Sequence, residues 1–171
     1  LPNWDFSHEL IEIMPTVQDA LAVETGRITV MASCWSPPGW MKENGSVLGM
    51  YQNQKGTLRA DKYQAYANYI TKFIQEYASR GIDIYAVSPQ NEPLNKANCA
   101  SLYMPWDEEA PFVKELASAF KQNGITTKIY VFDHNYNYDN LADQEDYPIK
   151  VYNALGNSFE GSELVVGAAY H

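Results

Sequence analysis

Short apolar runs alternate with longer stretches of helical periodicity from Arg27 onward in this 171-residue chain. The runs are rich in Val, Ile, Tyr or Ala and nearly free of charge, as expected for strands buried on both faces. They predict four strands, at residues 28–33, 82–88, 128–133 and 164–170. Because strands that alternate with helices are typical of βα units, the pattern predicts an α/β fold with a parallel sheet.

Helical segments precede and separate these strands. Apolar side chains recur at steps of three and four residues in them, which is the spacing of one helix face. The predicted helices are one that begins near Pro15, one from about 60 to 80 that ends at Gly81, one after Asp107 that ends at Gly124, and one from about Pro148 to Gly156.

The loops that follow strands are long, at 36–59 and 90–106, whereas those that precede strands are short. In parallel α/β folds the loops beyond the carboxyl ends of strands build the site, so functional residues should follow the strands. Four βα units fit part of an eight-stranded (β/α)8 barrel, since a complete one needs about 250 residues. An open doubly wound sheet is the alternative, but the turn Pro37-Pro38 after the first strand lacks the amide donors of a phosphate loop.

Composition excludes several classes of function. The chain has 12 Lys and Arg against 21 Asp and Glu, and a net charge of -9 disfavours nucleic acid and anionic lipid partners. Membrane insertion is not expected, because no apolar run approaches the roughly 18 residues needed, and no signal peptide is visible. The three histidines are scattered and no Cys-x-x-Cys motif occurs, so a metal site is not expected. No organic cofactor is expected either. Cys34 and Cys99 are interpreted as small buried thiols.

The segment 88–93, Ser-Pro-Gln-Asn-Glu-Pro, places Glu92 just after the second predicted strand. Retaining glycoside hydrolysis needs one carboxyl group as acid and then base, with a nucleophilic carboxylate about 5 to 5.5 Å away. Glu92 suits the first role, for which its pKa should be held above its ordinary value. Asn91 offers a donor and an acceptor to a sugar hydroxyl. The alternative is an ordinary loop carboxylate.

Aromatic and polar residues follow the other predicted strands. Trp35 and Trp40 flank the two-proline turn and could stack on sugars, although either could instead pack as core. Asp133 follows the third strand and His171 the fourth, so both should reach the same rim. His171 could equally be structural. The acidic cluster at 107–109 is interpreted as helix N-terminal charge without a catalytic role.

Four ordered segments resemble glycoside hydrolase family 30: residues 32–42, 88–93, 133–135 and 166–171. The family contains glucosylceramidases, β-1,6-glucanases and xylan-active enzymes, all retaining, on a (β/α)8 barrel with an attached β-domain. The resemblance implies that Glu92 is the acid/base, that Asn91 binds the hydroxyl beside the anomeric carbon, and that Trp35, Asp133 and His171 line the glucose subsite.

The same resemblance implies that the chain corresponds to barrel strands 3 to 6. Residues 1–171 would then be a fragment of one catalytic domain, a reading that the start at Leu1 rather than at Met also favours. The nucleophile, a Glu after the seventh strand, the remaining strands and the β-domain would lie outside the chain, and the rest of the barrel would be its partner.

Within the family, the stretches 91–95 and 100–104 look most like members that act on β-1,6-linked glucan. The expected function is therefore retaining hydrolysis of β-glucosidic bonds in a β-glucan or β-glucoside. Glucosylceramidase, or another β-glucosidase or β-xylosidase of the family, is the alternative. A non-catalytic carbohydrate-binding protein or an inactive fragment is the alternative of another class. The family also implies a secreted or extracytoplasmic parent protein.

Overall fold

The computed structural model describes residues 4–24, 26–136 and 141–171. Its strands are β1, Val30–Ser33; β2, Met50–Tyr51; β3, Gln54–Lys55; β4, Ile84–Ser88; β5, Lys128–His134; and β6, Val165–Tyr170. Its α-helices are α1, Met14–Val23; α2, Tyr63–Ala78; α3, Trp106–Gln122; and α4, Tyr147–Leu155. Each strand of the predicted set of four and each predicted helix is therefore present, and the strand boundaries lie within two residues of those expected.

The four longer strands form one parallel sheet in the order β1-β4-β5-β6. This confirms the α/β fold and the four βα units. The two central strands are largely buried, as predicted. The expectation of burial on both faces is wrong for β1 and β6, in which partly buried residues alternate or mix with exposed ones. Both lie at an edge of the described sheet, where one side has no neighbouring strand.

Apolar faces of three helices cover the sheet and form the core. Ile70 and Ile74 of α2, Leu116 of α3 and Val151 of α4 are all at most 5% exposed. Helix α3 lies between α2 and α4 and contacts both. Full burial of such a side chain stabilises the fold by roughly 1.5 to 3 kcal/mol. The periodicity read from the sequence therefore corresponds to a real packed face.

Glycines end two of these helices as predicted. Gly81 follows α2 with φ 79° and Gly124 follows α3 with φ 67°. Such left-handed conformations close the last helical turn and are disfavoured for residues that carry a Cβ. The chain can therefore turn sharply into β4 and β5, which keeps these links short and leaves the long loops at the opposite edge.

The two long loops are joined to each other at the carboxyl edge of the sheet. Leu48 bridges to Ala100, and the Gly49 N–H donates to the Cys99 carbonyl at 3.1 Å. The first loop also contains the antiparallel β2–β3 hairpin, which was not predicted. Cys99 is exposed, so its interpretation as a buried thiol is wrong. No helix in the described ranges is long and apolar enough to cross a membrane.

Candidate active site

The backbone around Glu92 is attached to the strands on either side of β4. The Asn91 N–H donates to the Cys34 carbonyl at 2.7 Å, just beyond β1, and the Glu92 N–H donates to the Asp133 carbonyl at 2.9 Å, in β5. Glu92 has φ 47°, a conformation rare for residues other than glycine. Such backbone geometry persists where neighbouring structure holds it, and here two strand ends do so.

The Glu92 carboxyl group has a different partner on each oxygen. Its Oε1 lies 3.3 Å from Nε2 of His171, and its Oε2 accepts a hydrogen bond from Nδ2 of Asn95 at 2.6 Å. The Asn95 amide is itself oriented, because its Oδ1 accepts the Ala97 N–H at 2.9 Å. The Glu92 side chain is 29% exposed, so it is held in place and still accessible from the barrel mouth.

Asp133 links the ends of β1 and β6. Its Oδ1 lies 3.2 Å from Nδ1 of His171, and its Oδ2 accepts a short hydrogen bond from the Ser33 hydroxyl. The Asp133 side chain is only 10% exposed, whereas that of His171 is 45% exposed. Ser33, Glu92, Asp133 and His171 therefore form one continuous chain of contacts that involves all four strand ends.

The His171 imidazole faces a carboxylate at each ring nitrogen. Only the protonated ring can donate to both, so this arrangement favours the imidazolium form. Burial by itself would lower the pKa of His171, but the hydrogen bonds to Glu92 and Asp133 raise it above its ordinary value. The ring of His134 lies parallel to that of His171, with centroids 6.5 Å apart, and burial lowers the pKa of His134. His171 thus favours the charged imidazolium form, and His134 favours the neutral imidazole form.

The expectation of a raised pKa for Glu92 is wrong for the described residues. The hydrogen bond from Asn95 lowers the pKa of Glu92, the hydrogen bond from His171 lowers it further, and partial burial opposes both only in part. Donors aimed at a carboxyl group favour its ionised form. With these neighbours, Glu92 is arranged as a carboxylate that accepts hydrogen bonds.

Both candidate tryptophans are exposed. Trp35 and Trp40 are 57% and 54% exposed, so neither packs as core among the described residues. The Trp35 carbonyl accepts a hydrogen bond from Nε2 of Gln90 at 2.8 Å, and the same nitrogen donates to the Asn91 carbonyl at 2.7 Å. Gln90 thereby ties Trp35 to the segment that carries Glu92. Trp40 lies in the helical turn Gly39–Met41 of the same loop.

Two buried ionisable groups, Lys42 and Glu109, support the site and were not predicted to do so. Nζ of Lys42 is within hydrogen-bond distance of the carbonyls of Val47, Leu48 and Ser101, at 2.6 to 2.9 Å, and burial lowers its pKa to about 8. Glu109 of α3 is fully buried and accepts the Phe132 N–H at 3.1 Å. The reading of Glu109 as mere helix N-terminal charge is therefore incomplete, because its side chain turns inward to β5.

Sequence reasoning also missed Asn95, Gln90 and Ser33 as neighbours of the site. Asn95 is the only one of the three whose role had a local signal, since it follows Glu92 by three residues in one loop. Within residues 4–24, 26–136 and 141–171, no group of three or more His, Cys, Asp or Glu side chains is arranged to hold a metal ion. The described chemistry is that of carboxylates, imidazole and amides.

Comparison with known proteins identifies relatives of this arrangement. Residues 1–151 match the model of the glycosyl hydrolase family 30 TIM-barrel domain. The chain is 35% identical over 131 residues to the endo-1,6-β-D-glucanase of Neurospora crassa, with 75% of this chain and 26% of that protein covered. It is 37% identical over 98 residues to the lysosomal acid glucosylceramidase of Mus musculus, with 54% of this chain and 18% of that protein covered.

A solved structure of the endo-β1,6-glucanase BT3312 superposes on the chain with a TM-score of 0.83 at 44% identity, covering 98% of this chain and 37% of that one. A solved structure of SrfJ from Salmonella typhimurium gives a TM-score of 0.81 at 28% identity, covering 99% and 35%. The chain thus spans about a quarter of the first curated relative and about a third of these structures. The four-stranded sheet described above is accordingly part of a TIM barrel.

Proposed function

The chain belongs to glycosyl hydrolase family 30, and from this premise we propose that the protein carrying it hydrolyses β-glucosidic bonds with retention, in the manner of an endo-β-1,6-glucanase. The observation that carries the proposal is the placement of Glu92 beyond the carboxyl end of β4, with its two oxygens fixed by His171 and Asn95. In a TIM barrel this edge is where reacting groups are found.

Glu92 is the proposed general acid/base. In the first step its carboxyl group protonates the departing glycosidic oxygen, and in the second its carboxylate takes a proton from the attacking water. The neighbours of Glu92 in this chain lower its pKa and so favour the second role. A nucleophilic carboxylate about 5 to 5.5 Å away would raise that pKa by like-charge repulsion and prepare the first role. We place this nucleophile outside residues 1–171.

Substrate contacts are assigned to exposed groups on the same edge. Asn91 is proposed to bind the sugar hydroxyl beside the anomeric carbon, and Trp35 and Trp40 to stack on apolar sugar faces. Asp133 and His171 are proposed to bind glucose hydroxyls, because both are polar and His171 is almost half exposed. No metal or organic cofactor is required by this mechanism, and export of the parent protein from the cytoplasm would bring it to a polymeric glucan.

Glucosylceramide cleavage is the second candidate. It is favoured by the curated relatives named glucosylceramidase, among them putative glucosylceramidase 3 of Caenorhabditis elegans at 34% identity over 142 residues. Incubation of the full-length protein with β-1,6-glucan and with glucosylceramide separates the two candidates. Release of β-1,6-linked oligosaccharides from the polymer supports the first, and release of ceramide with no action on the polymer supports the second.

Glu92→Gln in the full-length protein tests the catalytic proposal. We expect kcat/KM on β-1,6-glucan to fall by about a hundredfold to ten-thousandfold, the usual contribution of general acid/base catalysis. An aryl glycoside with an activated leaving group needs no proton, so its kcat/KM should be nearly unchanged. Glu145→Gln is the matched control, since Glu145 is an exposed carboxylate in the loop after β5.

Two results would contradict this proposal. If Glu92→Gln lowers kcat/KM by an equal and small factor on both substrates, Glu92 is not the general acid. Binding of β-1,6-glucan without any turnover by the wild-type protein would instead indicate a non-catalytic carbohydrate-binding protein.

A further inference from the structure

Glu109 occupies an unusual position for a carboxyl group. It lies in the first turn of α3, between the sheet and the neighbouring helices, and is 0% exposed. Its Oε1 accepts the backbone N–H of Phe132, 23 residues further along the chain, at 3.1 Å. Burying a carboxyl group is costly unless it is hydrogen-bonded, and a charged carboxylate costs more than a neutral carboxylic acid.

The accepted N–H belongs to a bulge in β5. Phe132 pairs with Ala169 and His134 with Tyr170, so Asp133 is an extra residue without a partner in β6. Phe132 and Asp133 have φ 76° and 51°, and neither is a glycine. Bulges of this kind redirect a side chain, and a left-handed backbone at a bulky residue persists only where its surroundings hold it.

The bulge determines where Asp133 presents its polar groups. The Asp133 carbonyl accepts the Glu92 N–H at 2.9 Å, and its carboxylate contacts His171 at 3.2 Å and the Ser33 hydroxyl. His171 in turn lies 3.3 Å from the Glu92 carboxyl group. A displacement of the bulge would therefore move Glu92 in two ways. It would shift the Asp133 carbonyl that holds the Glu92 backbone N–H, and it would shift His171, which contacts the Glu92 carboxyl group.

The surroundings of Glu109 favour its neutral form. Burial raises the pKa of Glu109 to about 7, the charge of Asp133 raises it as well, and the Phe132 N–H and the Tyr147 side chain oppose this only in part. The Tyr147 hydroxyl donates its proton to the Met104 carbonyl at 2.6 Å, and Oε2 of Glu109 has no hydrogen-bond partner among the described residues.

We propose that Glu109 is a positioning residue for the reaction at Glu92: it accepts the Phe132 N–H from helix α3 and so holds the β5 bulge that places Asp133 against Glu92 and His171. The role depends on the acceptor oxygen and not on a negative charge. It rests on the proposed function of Glu92 as acid/base and adds to it a residue that touches neither substrate nor reacting atoms.

The test compares Glu109→Gln with Glu109→Leu in the full-length protein. Gln keeps an oxygen acceptor for Phe132 and carries no charge, whereas Leu has similar size and no acceptor. The readout is kcat/KM on β-1,6-glucan divided by kcat/KM on the activated aryl glycoside, which measures proton donation by Glu92 and cancels any loss of folded protein. Glu108→Gln is the matched control on the same helix turn.

We expect Glu109→Leu to lower this ratio about tenfold to a hundredfold, the scale of the loss when a reacting group is displaced by about 1 Å. Glu109→Gln should retain most of the ratio, and Glu108→Gln should leave it unchanged. If Glu109→Leu does not fold, Glu109→Met is read in the same way.

An unchanged ratio in Glu109→Leu or Glu109→Met overturns the positioning role, as does a loss in Glu109→Gln as large as that in Glu109→Leu. The same assay shows separately whether the proposed function itself fails. If Glu92 is not the acid/base, Glu92→Gln leaves the ratio of the two kcat/KM values unchanged.

Discussion

At the scale of single residues, the ionisation of Glu92 depends on its hydrogen bond to Asn95. Its Nδ2 donates to Glu92 Oε2 at 2.6 Å, and this hydrogen bond is the largest of the effects that lower the pKa of Glu92. A general acid works only in its protonated form, so the alkaline limb of the pH profile of kcat/KM reports the pKa of that acid. The identity of residue 95 should therefore be visible in the pH profile.

Asn95→Ala is expected to move this alkaline limb to higher pH. The sign follows because removal of a donor to the carboxylate destabilises its charged form and so raises its pKa. The measurement is kcat/KM on β-1,6-glucan across the pH range in the full-length protein. Asn153→Ala, at an exposed position of α4, is the control and should leave the limb in place. A limb that stays fixed in Asn95→Ala, or moves to lower pH, would contradict the role given to this hydrogen bond.

The residues that the sequence identified and those that it missed differ in a physical way. Glu92, Asp133 and His171 were predicted to share one edge because the carboxyl ends of parallel strands meet there, and the structure brings their side chains into contact. Ser33 and Glu109 were not predicted as their supports. Their partners lie 100 and 23 residues away, and no local pattern encodes such a pairing.

At the scale of secondary-structure elements, periodicity located the helices and the four long strands but not the hairpin or the bulge. The β2–β3 hairpin consists of two-residue strands, which are too short to show alternation. Its turn residues Gln52 and Asn53 have φ 48° and 61° without any glycine, so the usual turn signal is absent. The bulge in β5 also lacks glycine. Its conformation depends on tertiary contacts that only the folded chain provides.

Lys42 holds the two long loops together. Its side chain is 2% exposed, and its Nζ donates to carbonyls of the first loop at Val47 and Leu48 and to the Ser101 carbonyl of the second. Three rotatable N–H donors suit such a cluster of carbonyl oxygens. Trp35 directly precedes the first loop and Glu92 lies in the second. The position of these two site residues relative to each other therefore depends on the contacts of Lys42 with both loops.

Lys42→Met is expected to destabilise the protein and to loosen both loops. Met fills a similar volume but leaves buried carbonyl groups without a donor, at a cost of about 1 to 3 kcal/mol for each unsatisfied group. The measurements are the thermal midpoint and limited proteolysis within residues 36–59 and 94–105. Lys55→Met is the control, because Lys55 lies in the same loop but is exposed, with its Nζ 5.0 Å from the centre of the Tyr103 ring. Equal midpoints and cleavage rates for the two variants would contradict the junction role.

At the scale of the whole molecule, the described residues form an open sheet of a fold that closes in complete family members. In that sheet β1 pairs with β4 and β6 pairs with β5, which leaves one side of each outer strand without a partner. Met31 and Val166 on these strands are each 45% exposed. Open edges with apolar side chains are templates for pairing with another chain. A closed barrel removes such edges, so in the proposed complete protein the same added strands would cover β1 and β6 and complete the active site.

A polypeptide of residues 1–171 alone is therefore expected to self-associate and to show no turnover. Light scattering coupled to gel filtration should give masses well above the 19.4 kDa of one chain. The double variant Met31→Lys and Val166→Lys should shift the population toward monomer, because charge on an outer strand opposes edge pairing. Incubation with an activated aryl β-glucoside should release no phenol, since retention requires a second carboxylate beside Glu92. A stable 19.4 kDa monomer, or turnover of the aryl β-glucoside by residues 1–171, would show that four βα units suffice where the barrel fold argues for eight.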